Sequence, residues 1–477
     1  MLFGTPLFVL AFLPLTLLGF HCIGHRWGSR AALIFLLAAS LLFYGWGNPW
    51  DLPLLAGSIL ANFWLGQRQG ATWFAAGIAA NLTLLGLFKY AGFAASLLGL
   101  PNPHVALPLG ISFFTFQQIM YLSACRNGGP GERFLPYAAC IAFFAHLIAG
   151  PLVRPSQIIP QFQRASGIGF QADAVAEGLM LFLLGLAKKL VLGDSFAPLA
   201  DRGFDAAASG ASLTAIEAWY AVLAFALQIY FDFSGYSDMA IGIARMFNIR
   251  FPINFASPYK ARDIQDFWRR WHITLSHFLR DFLYIPLGGN RHGEPRRLLN
   301  LMITMLLGGL WHGAAWKFLL WGGLHGAYLM LHQIWQGLRP GWARLPAPLA
   351  QALTLVAVIV AWVPFRAHDL TSAGSMLCGM AGWHGLAFPA PLIALMPILG
   401  RVGQSVPVLA ALGDARTLAL PDATGILLLG WIIVLCLPHL HETSPRLRAW
   451  ALLGGGGFTL QALFFAGAAT PFLYFRF

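Results

Sequence analysis

Residues 306–316 read Leu-Leu-Gly-Gly-Leu-Trp-His-Gly-Ala-Ala-Trp, and this stretch decides how the rest of the chain is interpreted. It places the imidazole of His312 inside an apolar run that is long enough to lie at membrane depth. An ionisable side chain in such a position is costly, so it is a candidate functional residue. With an unperturbed pKa of about 6.5, a histidine is a suitable proton acceptor near neutral pH. The alternative for this stretch alone is a packed histidine whose ring is satisfied by a backbone carbonyl.

The composition of the whole chain indicates a membrane protein. Of the 477 residues, 58% are hydrophobic and 10% are charged, whereas a soluble domain usually carries about 25% charged residues. A net charge of +12 could suggest nucleic-acid binding, but Lys- and Arg-rich cytoplasmic loops explain it in a polytopic membrane protein. We therefore predict an all-α polytopic integral membrane protein that binds no nucleic acid.

Apolar runs that approach the roughly 20 residues of a membrane-spanning helix recur along the chain. They predict roughly a dozen transmembrane helices, some of them partial or interfacial, in a single domain that covers residues 1–477. The runs are residues 2–20, 31–46, 52–65, 73–87, 111–123, 135–153, 175–192, 213–231, 298–311, 318–335, 349–365, 424–438 and 452–472. The Gly-, Pro- and Ala-rich residues 367–423 predict an extracytoplasmic loop with short interfacial helices.

Basic residues near the N-terminus predict the orientation. Arg26 and Arg30 lie between the first two apolar runs, whereas residues 48–51, between the second and third runs, contain no Lys or Arg. Because cytoplasmic loops carry an excess of basic residues, residues 21–30 are placed in the cytoplasm and the N-terminus outside it. The first apolar run has no basic region before it, so it is interpreted as a retained transmembrane helix.

Residues 254–297 form the least hydrophobic block, and their excess of basic residues marks the cytoplasmic side. Apolar residues recur in this block at steps of three and four, which predicts one amphipathic helix. They are Trp268, Trp271, Leu275, Phe278, Leu279 and Phe282. Asp266 and Arg270 can pair across one turn of it. The helix either lies in the membrane interface, or is tucked into the protein, where it presents cations to an anionic cosubstrate and His272 faces a cavity.

Other polar groups also interrupt apolar segments. Asp232 directly follows the run 213–231, and a buried carboxylate needs a partner. A structural ion pair with an arginine such as Arg245 and a role in lining a cavity are both open. For Lys188 and Lys189, a structural anchor and a ligand contact are both open.

The pattern of potential metal ligands does not indicate a metal site. His325 follows His312 by 13 residues, and no third ligand stands three or four residues from His312. The five cysteines form no C-x-x-C pair. We therefore predict no metal centre.

Three motifs together resemble the signature of the membrane-bound O-acyltransferases. They are Asp-Phe-Trp-Arg-Arg-Trp-His at residues 266–272, Tyr-Ile-Pro-Leu-Gly-Gly-Asn at residues 284–290 and Gly-Gly-Leu-Trp-His-Gly at residues 308–313. The resemblance covers nearly the whole chain. It points to the bacterial branch of the family that acetylates exopolysaccharides, typified by alginate O-acetyltransferases.

This resemblance implies helices around a central tunnel, which a cytoplasmic acyl donor enters from one side and the acceptor from the other. It implies that His312 is the catalytic histidine and that His272 is the second histidine of the site. Candidates for binding the donor or substrate are Trp311, Arg269, Arg270, Asp232 and Asn254. The two arginines could attract the phosphates of coenzyme A.

The function that follows is transfer of an acetyl group from cytoplasmic acetyl-CoA for O-acetylation of an extracytoplasmic, alginate-like polysaccharide. Acetyl-CoA is a cosubstrate, and no bound cofactor is expected. The expected partners are the lipid bilayer of the bacterial inner membrane, the polysaccharide acceptor and an extracytoplasmic acetyltransferase that completes the transfer. An acyl-carrier-dependent cell-wall acyltransferase and a transporter of a polysaccharide or lipid-linked sugar are the alternatives. Alginate, cellulose and peptidoglycan all stay open as acceptors.

Overall fold

Helices make up almost all of the regular structure. The computed structural model describes residues 1–128, 133–165, 169–338, 345–389, 404–406, 423–465 and 473. The α-helices are, in chain order, α1 (Leu13–Gly45), α2 (Leu52–Gly66), α3 (Ala71–Leu85), α4 (Ala91–Leu97), α5 (Ile111–Arg126), α6 (Phe134–Ala142), α7 (Phe144–Leu147), α8 (Pro155–Ala165), α9 (Ala172–Ala187), α10 (Asp194–Ala208), α11 (Ala215–Met246), α12 (Ile264–Arg270), α13 (Ile273–Leu279), α14 (Gly293–His312), α15 (Trp316–Leu338), α16 (Ala347–Arg366), α17 (Leu370–Met380), α18 (Ala423–Cys436) and α19 (Pro445–Phe465). Two three-residue strands, β1 (Ala387–Pro389) and β2 (Gln404–Val406), pair in parallel. The predicted all-α class is confirmed apart from this short pair.

Short helical segments of other types join these helices. π-Helical segments lie at Phe8–Phe12, Gly86–Tyr90, Lys188–Gly193 and Arg280–Tyr284. 3-10 turns lie at Pro49–Asp51, Pro258–Lys260 and Leu440–Glu442. π-Helical turns are rare and often occur at functional sites, and one of them carries Lys189, which pairs with Asp194 and Asp232.

Four helical segments of the described chain are long and apolar enough to cross a membrane. They are Phe8–Gly45, Ala71–Leu97, Ala215–Met246 and Ala347–Arg366. They agree with the predicted polytopic membrane class. The total of roughly a dozen crossings and the central tunnel stay predictions.

The first of these segments is a helical hairpin. Gly28 has φ +83° within α1, a conformation that glycine adopts without strain. A Cβ placed on Gly19 would lie 2.5 Å from the ring of Phe35. Because residues 16 apart in a straight helix are separated by about 24 Å, this approach requires the chain to reverse at Gly28. The two predicted apolar runs, 2–20 and 31–46, are therefore separate antiparallel helices.

The chain divides into two compact units, and neither is continuous in sequence. The first comprises Met1–Leu186, Tyr236–Asn254 and Pro445–Gly454, and the second comprises Ala187–Gly235, Phe255–Ser444 and Gly455–Phe477. Helix α11 contributes residues to both. The single domain over residues 1–477 stays a prediction.

Within the first unit, buried polar groups link the helices α5 and α6 and the segment that follows them. The Tyr137 hydroxyl donates to Gln118 Oε1 at 2.6 Å. His146 is fully buried and lies 2.9 Å, through Nε2, from the carbonyl oxygen of Cys140. The side-chain amide of Gln117 lies 2.8 Å from His146 Nδ1. Both ring nitrogens of this histidine are thus satisfied, as is usual for buried polar groups.

Within the second unit, glycines let α14 and α15 pack backbone to backbone. A Cβ on Gly309 would lie 2.2 Å from the carbonyl oxygen of Phe318, and one on Gly322 would lie 2.3 Å from the carbonyl oxygen of Met305. Side chains at these two positions would force the helices apart. Small residues at such crossings are typical of close helix packing in membranes.

The amphipathic helix predicted over residues 266–284 is wrong as a continuous element. The structure has α12, a break at Trp271 and His272, α13, and then the π-helical segment Arg280–Tyr284. His272 has φ +42° in the left-handed region, so it redirects the chain between the two short helices. Periodicity in the sequence cannot detect a single left-handed residue. Five of the six apolar residues of the pattern are nevertheless buried, which favours the tucked-in alternative over an interfacial helix: Trp268, Trp271, Leu275, Phe278 and Leu279.

The predicted loop at residues 367–423 is only partly described. It contains α17, and the strands β1 and β2 pair within it. Residues 390–403 and 407–422 lie outside the described residues. The side of the membrane on which this region lies stays a prediction.

Candidate active site

His312 is the last residue of α14, and aromatic rings surround it. His312 is buried, with 5% of its surface exposed. The centroids of Trp311 and Trp321 lie 4.9 Å from that of the imidazole, and that of Phe365 lies 5.1 Å away. The next residue, Gly313, has no room for a side chain, since a Cβ there would lie 2.1 Å from the Phe318 ring. The turn after α14 therefore depends on glycine and holds His312 at the helix end.

His272, the second predicted histidine, is 1% exposed and lies at the break between α12 and α13. Its ring centroid is 4.8 Å from that of Phe233 and 6.3 Å from that of Phe255. It is also 6.1 Å from Trp311, the ring that contacts His312. The structure therefore brings the two predicted histidines into contact with the same tryptophan.

A third histidine joins the same cluster. His325 on α15 is fully buried, and its centroid lies 4.8 Å from that of Trp321. Since Trp321 also contacts His312, the three histidines and two tryptophans form a continuous chain of ring contacts, which we call the histidine–tryptophan cluster. Its members are His272, Trp311, His312, Trp321 and His325.

The cluster does not include a recognisable metal centre. Among the described residues, no group of three or more His, Cys, Asp or Glu side chains could hold a metal ion. The rings in contact with the histidines are mainly tryptophan and phenylalanine. The cluster places imidazole nitrogens in apolar, aromatic surroundings. Such nitrogens can transfer a proton to or from a bound hydroxyl group.

The two predicted donor-binding arginines differ in their surroundings. Arg269 is exposed. Arg270 is half-buried; its Nε donates to Asp266 Oδ1 at 2.8 Å, which confirms the predicted pair, and its Nη1 donates to the carbonyl oxygen of Ala256 at 3.3 Å. Contact of either arginine with coenzyme A stays a prediction. Of the two, the exposed Arg269 offers the more accessible guanidinium.

Asp232 is part of a buried ion-pair network. Lys189 Nζ lies 2.5 Å from Asp232 Oδ1 and 2.5 Å from Asp194 Oδ1. The other Asp232 oxygen accepts the backbone N–H of Leu473 at 2.9 Å. The suggested ion pair with Arg245 is wrong, because Arg245 pairs with Glu177 within the first unit. Both carboxylate oxygens of Asp232 thus have structural partners, and Lys189 fits the structural-anchor alternative; substrate binding by Asp232 stays a prediction.

Asn254 belongs to the first compact unit. It is 1% exposed, and its amide donates to the hydroxyl of Ser237 at 3.3 Å. This contact ties the segment after α11 back to the last turns of that helix. Its role in binding the donor stays a prediction.

A cavity of about 810 Å³ lies among α12, α15 and α16 in the second unit. Its lining is mainly aliphatic apart from the polar side chains at its wall, which are those of Arg262, Asp263, Tyr328, His332, Gln336 and Thr354. The Tyr328 ring lies 5.9 Å from that of His325. The cavity therefore approaches one end of the histidine–tryptophan cluster.

Sequence reasoning missed the roles of Trp321 and Phe365, and it considered His325 only as a metal ligand. A local signal was present for one pair: Trp321 and His325 are four residues apart in an apolar helix, and such residues share a helix face. No local signal places Phe365 beside His312, because the two are on different helices.

The chain was compared with known proteins and families. A family model described as MBOAT, membrane-bound O-acyltransferase family, matches residues 131–363. The chain is 39% identical to the peptidoglycan O-acetyltransferase of Helicobacter pylori, over 100% of this chain and 98% of that protein. It is 40% identical to the probable alginate O-acetylase AlgI of Pseudomonas putida, over 80% of each. It is 28% identical to the teichoic acid D-alanyltransferase of Streptococcus thermophilus, over 48% of this chain and 57% of that protein.

The similarity to the Helicobacter protein extends along the whole chain, and the matched family region contains all three histidines of the cluster. The resemblance inferred from the motifs at residues 266–272, 284–290 and 308–313 is confirmed. The chain therefore belongs to the membrane-bound O-acyltransferase family and is a multi-pass membrane acyltransferase.

Proposed function

We propose that this acyltransferase moves an acetyl group from cytoplasmic acetyl-CoA across the bacterial inner membrane for O-acetylation of an extracytoplasmic, alginate-like polysaccharide. The observation that carries the proposal is the burial of His312 among aromatic rings, with His272 in contact with the same tryptophan, Trp311. An extracytoplasmic acetyltransferase partner completes the transfer. The names of the relatives, which specify O-acetylation of alginate and of peptidoglycan, support acetyl as the group transferred.

In this reaction His312 acts as a general base. A ring nitrogen accepts the proton of the acceptor hydroxyl, and the hydroxyl oxygen attacks the carbonyl carbon of the thioester. The carbon–sulfur bond then breaks, the new ester bond is complete, and the imidazolium returns its proton to the thiolate that leaves. Positioned proton transfer of this kind contributes roughly 10²–10⁴-fold to the rate. The aromatic surroundings exclude water, which would otherwise hydrolyse the thioester.

The donor approaches from the side of the basic block, residues 254–297. Coenzyme A carries several phosphate charges, and an exposed guanidinium such as that of Arg269 attracts them. Acetyl-CoA is thus a consumed cosubstrate and not a resident cofactor. A carrier-bound acyl group is the second candidate donor, favoured by the similarity to a D-alanyltransferase.

The test is cleavage of radiolabelled acetyl-CoA by the purified protein in lipid vesicles, with a soluble polysaccharide acceptor and a periplasmic extract, as the source of the partner acetyltransferase, both present. We expect the wild type to release coenzyme A and His312→Ala to lose at least about 100-fold in rate, the low end of what a general base contributes. His25→Ala, which removes an exposed histidine, serves as the matched control and should keep wild-type activity.

The outcomes separate the candidate functions. Full activity in a folded His312→Ala protein would refute the general-base role. No thioester cleavage by the wild type, with or without a carrier protein, would point to a transporter. If cleavage requires an acylated carrier protein, that carrier and not acetyl-CoA is the donor.

A further inference from the structure

We propose that His325, Trp268 and Trp321 form a binding position for an amide group of the acyl donor's thioester arm. This inference rests on the proposed acyl transfer and names the part of the donor that a second set of residues recognises. A thioester arm of the pantetheine type carries amide groups close to the sulfur. The same arm occurs in coenzyme A and in acyl-carrier proteins, so the proposal concerns the chemistry that the two donors share.

The first observation is that His325 is a buried polar side chain with no hydrogen-bond partner among the described residues. It is 0% exposed. Within the part of the chain that the structure describes, neither Nδ1 nor Nε2 has a hydrogen-bond partner. Leaving a buried polar group unsatisfied destabilises the folded protein, and such groups are rare in native structures and call for an explanation.

The second observation is that two further polar atoms of the same kind lie beside it. The indole Nε1 atoms of Trp268 and Trp321 are buried and have no hydrogen-bond partner among the described residues. The three rings are in mutual contact, with centroid separations of 5.1 Å for Trp268–His325, 4.8 Å for Trp321–His325 and 5.9 Å for Trp268–Trp321. We call them the Trp–Trp–His triad.

Comparison with another buried histidine shows that this arrangement is not general in the protein. His146 in the first unit is equally buried, yet the Gln117 amide and the Cys140 carbonyl satisfy both of its ring nitrogens. The fold therefore can supply partners to a buried imidazole. At His325 the fold instead surrounds the imidazole with aromatic rings, so its two ring nitrogens remain able to form hydrogen bonds with a ligand.

The chemistry of the triad selects the ligand. Each indole N–H can only donate a hydrogen bond, whereas a neutral imidazole donates one and accepts one. The triad thus offers three donors and one acceptor. An amide group can engage the acceptor and two of the three donors, because its N–H donates one hydrogen bond and its carbonyl oxygen accepts up to two.

The location also fits an arm that ends at the reacting carbon. The Trp321 ring contacts both His312 and His325, with centroid separations of 4.9 Å and 4.8 Å. Trp268 comes from the basic block from which the donor is proposed to approach. Tyr328, whose ring lies 5.9 Å from that of His325, lines the 810 Å³ cavity, and the wall of this cavity also includes Arg262. An extended arm at the triad would therefore present its thioester toward His312.

The test compares His325→Leu with His325→Gln in the vesicle assay. Leucine removes the hydrogen-bonding capacity at similar size, whereas glutamine keeps a donor and an acceptor. We expect His325→Leu to raise the KM for acetyl-CoA about tenfold, as the loss of one strong hydrogen bond does. His325→Gln should recover most of the wild-type KM.

Shortened donors show whether the amide is what the triad recognises. Wild type should use S-acetyl-N-acetylcysteamine, which has an amide, better than ethyl thioacetate, which has none. His325→Leu should lose this preference and use ethyl thioacetate as well as wild type does. The same comparison with an acetylated carrier protein and with acetyl-CoA identifies which source supplies the arm.

Thermal unfolding in detergent separates ligand binding from a structural role. His325→Leu should melt at or above the wild-type temperature, because it removes an unsatisfied polar group. His146→Leu, the matched control, should melt lower, because it leaves the buried Gln117 amide without its imidazole partner and removes one of the two hydrogen bonds at the Cys140 carbonyl. A His325→Leu protein that melts as low as His146→Leu, or that keeps wild-type KM, would overturn the inference.

This inference and the proposed function can fail separately. If the wild type cleaves acetyl-CoA but His325→Leu does so equally well, only the triad inference fails. If no thioester is cleaved but coenzyme A raises the melting temperature of wild type and not of His325→Leu, the proposed function fails and the triad stands. Absence of both effects refutes both.

Discussion

At the scale of single residues, His272 shows how much this site depends on backbone conformation. A non-glycine residue in the left-handed region is disfavoured by roughly 1–2 kcal/mol, and such residues persist where the surroundings hold them in place, often at functional sites. His272 is held by Phe233, Phe255 and Trp311. The strained position therefore aims its imidazole at the ring that also contacts His312.

Lys189 allows a residue-scale prediction about the ion-pair network. Its side chain is 8% exposed and lies between the carboxylates of Asp232 and Asp194. Lys189→Met would leave both carboxylates without this cation, so we expect a loss of about 3–5 kcal/mol in stability. Thermal or denaturant unfolding in detergent measures this loss.

The neighbouring lysine provides the control for this prediction. Lys188 lies 5.5 Å from the centre of the Tyr230 ring, and a cation–π contact of this kind is worth about 1 kcal/mol. Lys188→Met should therefore be much less damaging than Lys189→Met. Equal losses would contradict the buried pair. Restoration of part of the stability in Lys189→Met combined with Asp232→Asn would support it.

At the scale of elements, the crossing of α14 and α15 positions the site. Helix α14 ends in His312, and α15 carries Trp321 and His325. The glycines at 309 and 322 let the two backbones touch. The positions of His312, Trp321 and His325 relative to one another thus depend on these two glycines, because they allow the close crossing of α14 and α15.

The adjacent glycines 322 and 323 test this element-scale conclusion. A Cβ at Gly322 would lie 2.3 Å from the Met305 carbonyl oxygen, whereas at Gly323 the nearest atom is Leu306 Cδ2 at 3.7 Å. We expect Gly322→Ala to separate the helices, costing about 1–3 kcal/mol by overpacking, and to reduce acyl transfer. Gly323→Ala should be neutral or slightly stabilising, since alanine is the better helix former. Equal behaviour of the two variants in unfolding and in the vesicle assay would exclude the proposed close crossing.

The same scale shows where reasoning from periodicity ends. The spacing of Trp268, Trp271 and Leu275 correctly identifies which side chains are buried. It does not show that the helix stops at Arg270 and starts again at Ile273. The burial of these side chains follows from many local preferences along the chain. The break between α12 and α13, by contrast, depends on the φ angle of His272 alone, and tertiary packing imposes that angle.

At the scale of the whole molecule, the orientation in the membrane determines the direction of transfer. The reversal at Gly28 places Cys22, an exposed cysteine, near the turn of the first hairpin. The basic residues beside it predict a cytoplasmic location. Gly47, by contrast, follows the second arm, and no described atom lies within 4 Å of a Cβ built there.

Labelling of single cysteines tests this orientation. In a variant whose other four cysteines are replaced by serine, a membrane-impermeant maleimide should label Cys22 in inverted vesicles and not in intact spheroplasts. In a cysteine-free background, Gly47→Cys should show the reverse pattern. Labelling of Cys22 from outside would invert the orientation and would contradict entry of the donor from the cytoplasm.

The sequence by itself determined the membrane class, the helical class, the apolar runs on either side of Gly28 and the family. It also indicated that His312 lies in an apolar, buried position and that Asp266 pairs with Arg270, because apolar runs and contacts within one helical turn are local properties of the chain. Only the tertiary structure decided that Lys189 pairs with Asp232, that His272 contacts Trp311, and that His325 contacts Trp268. These contacts join residues on different helices. They depend on which faces of the helices pack together. This packing is determined by the free energy of the whole folded chain and not by that of any one segment.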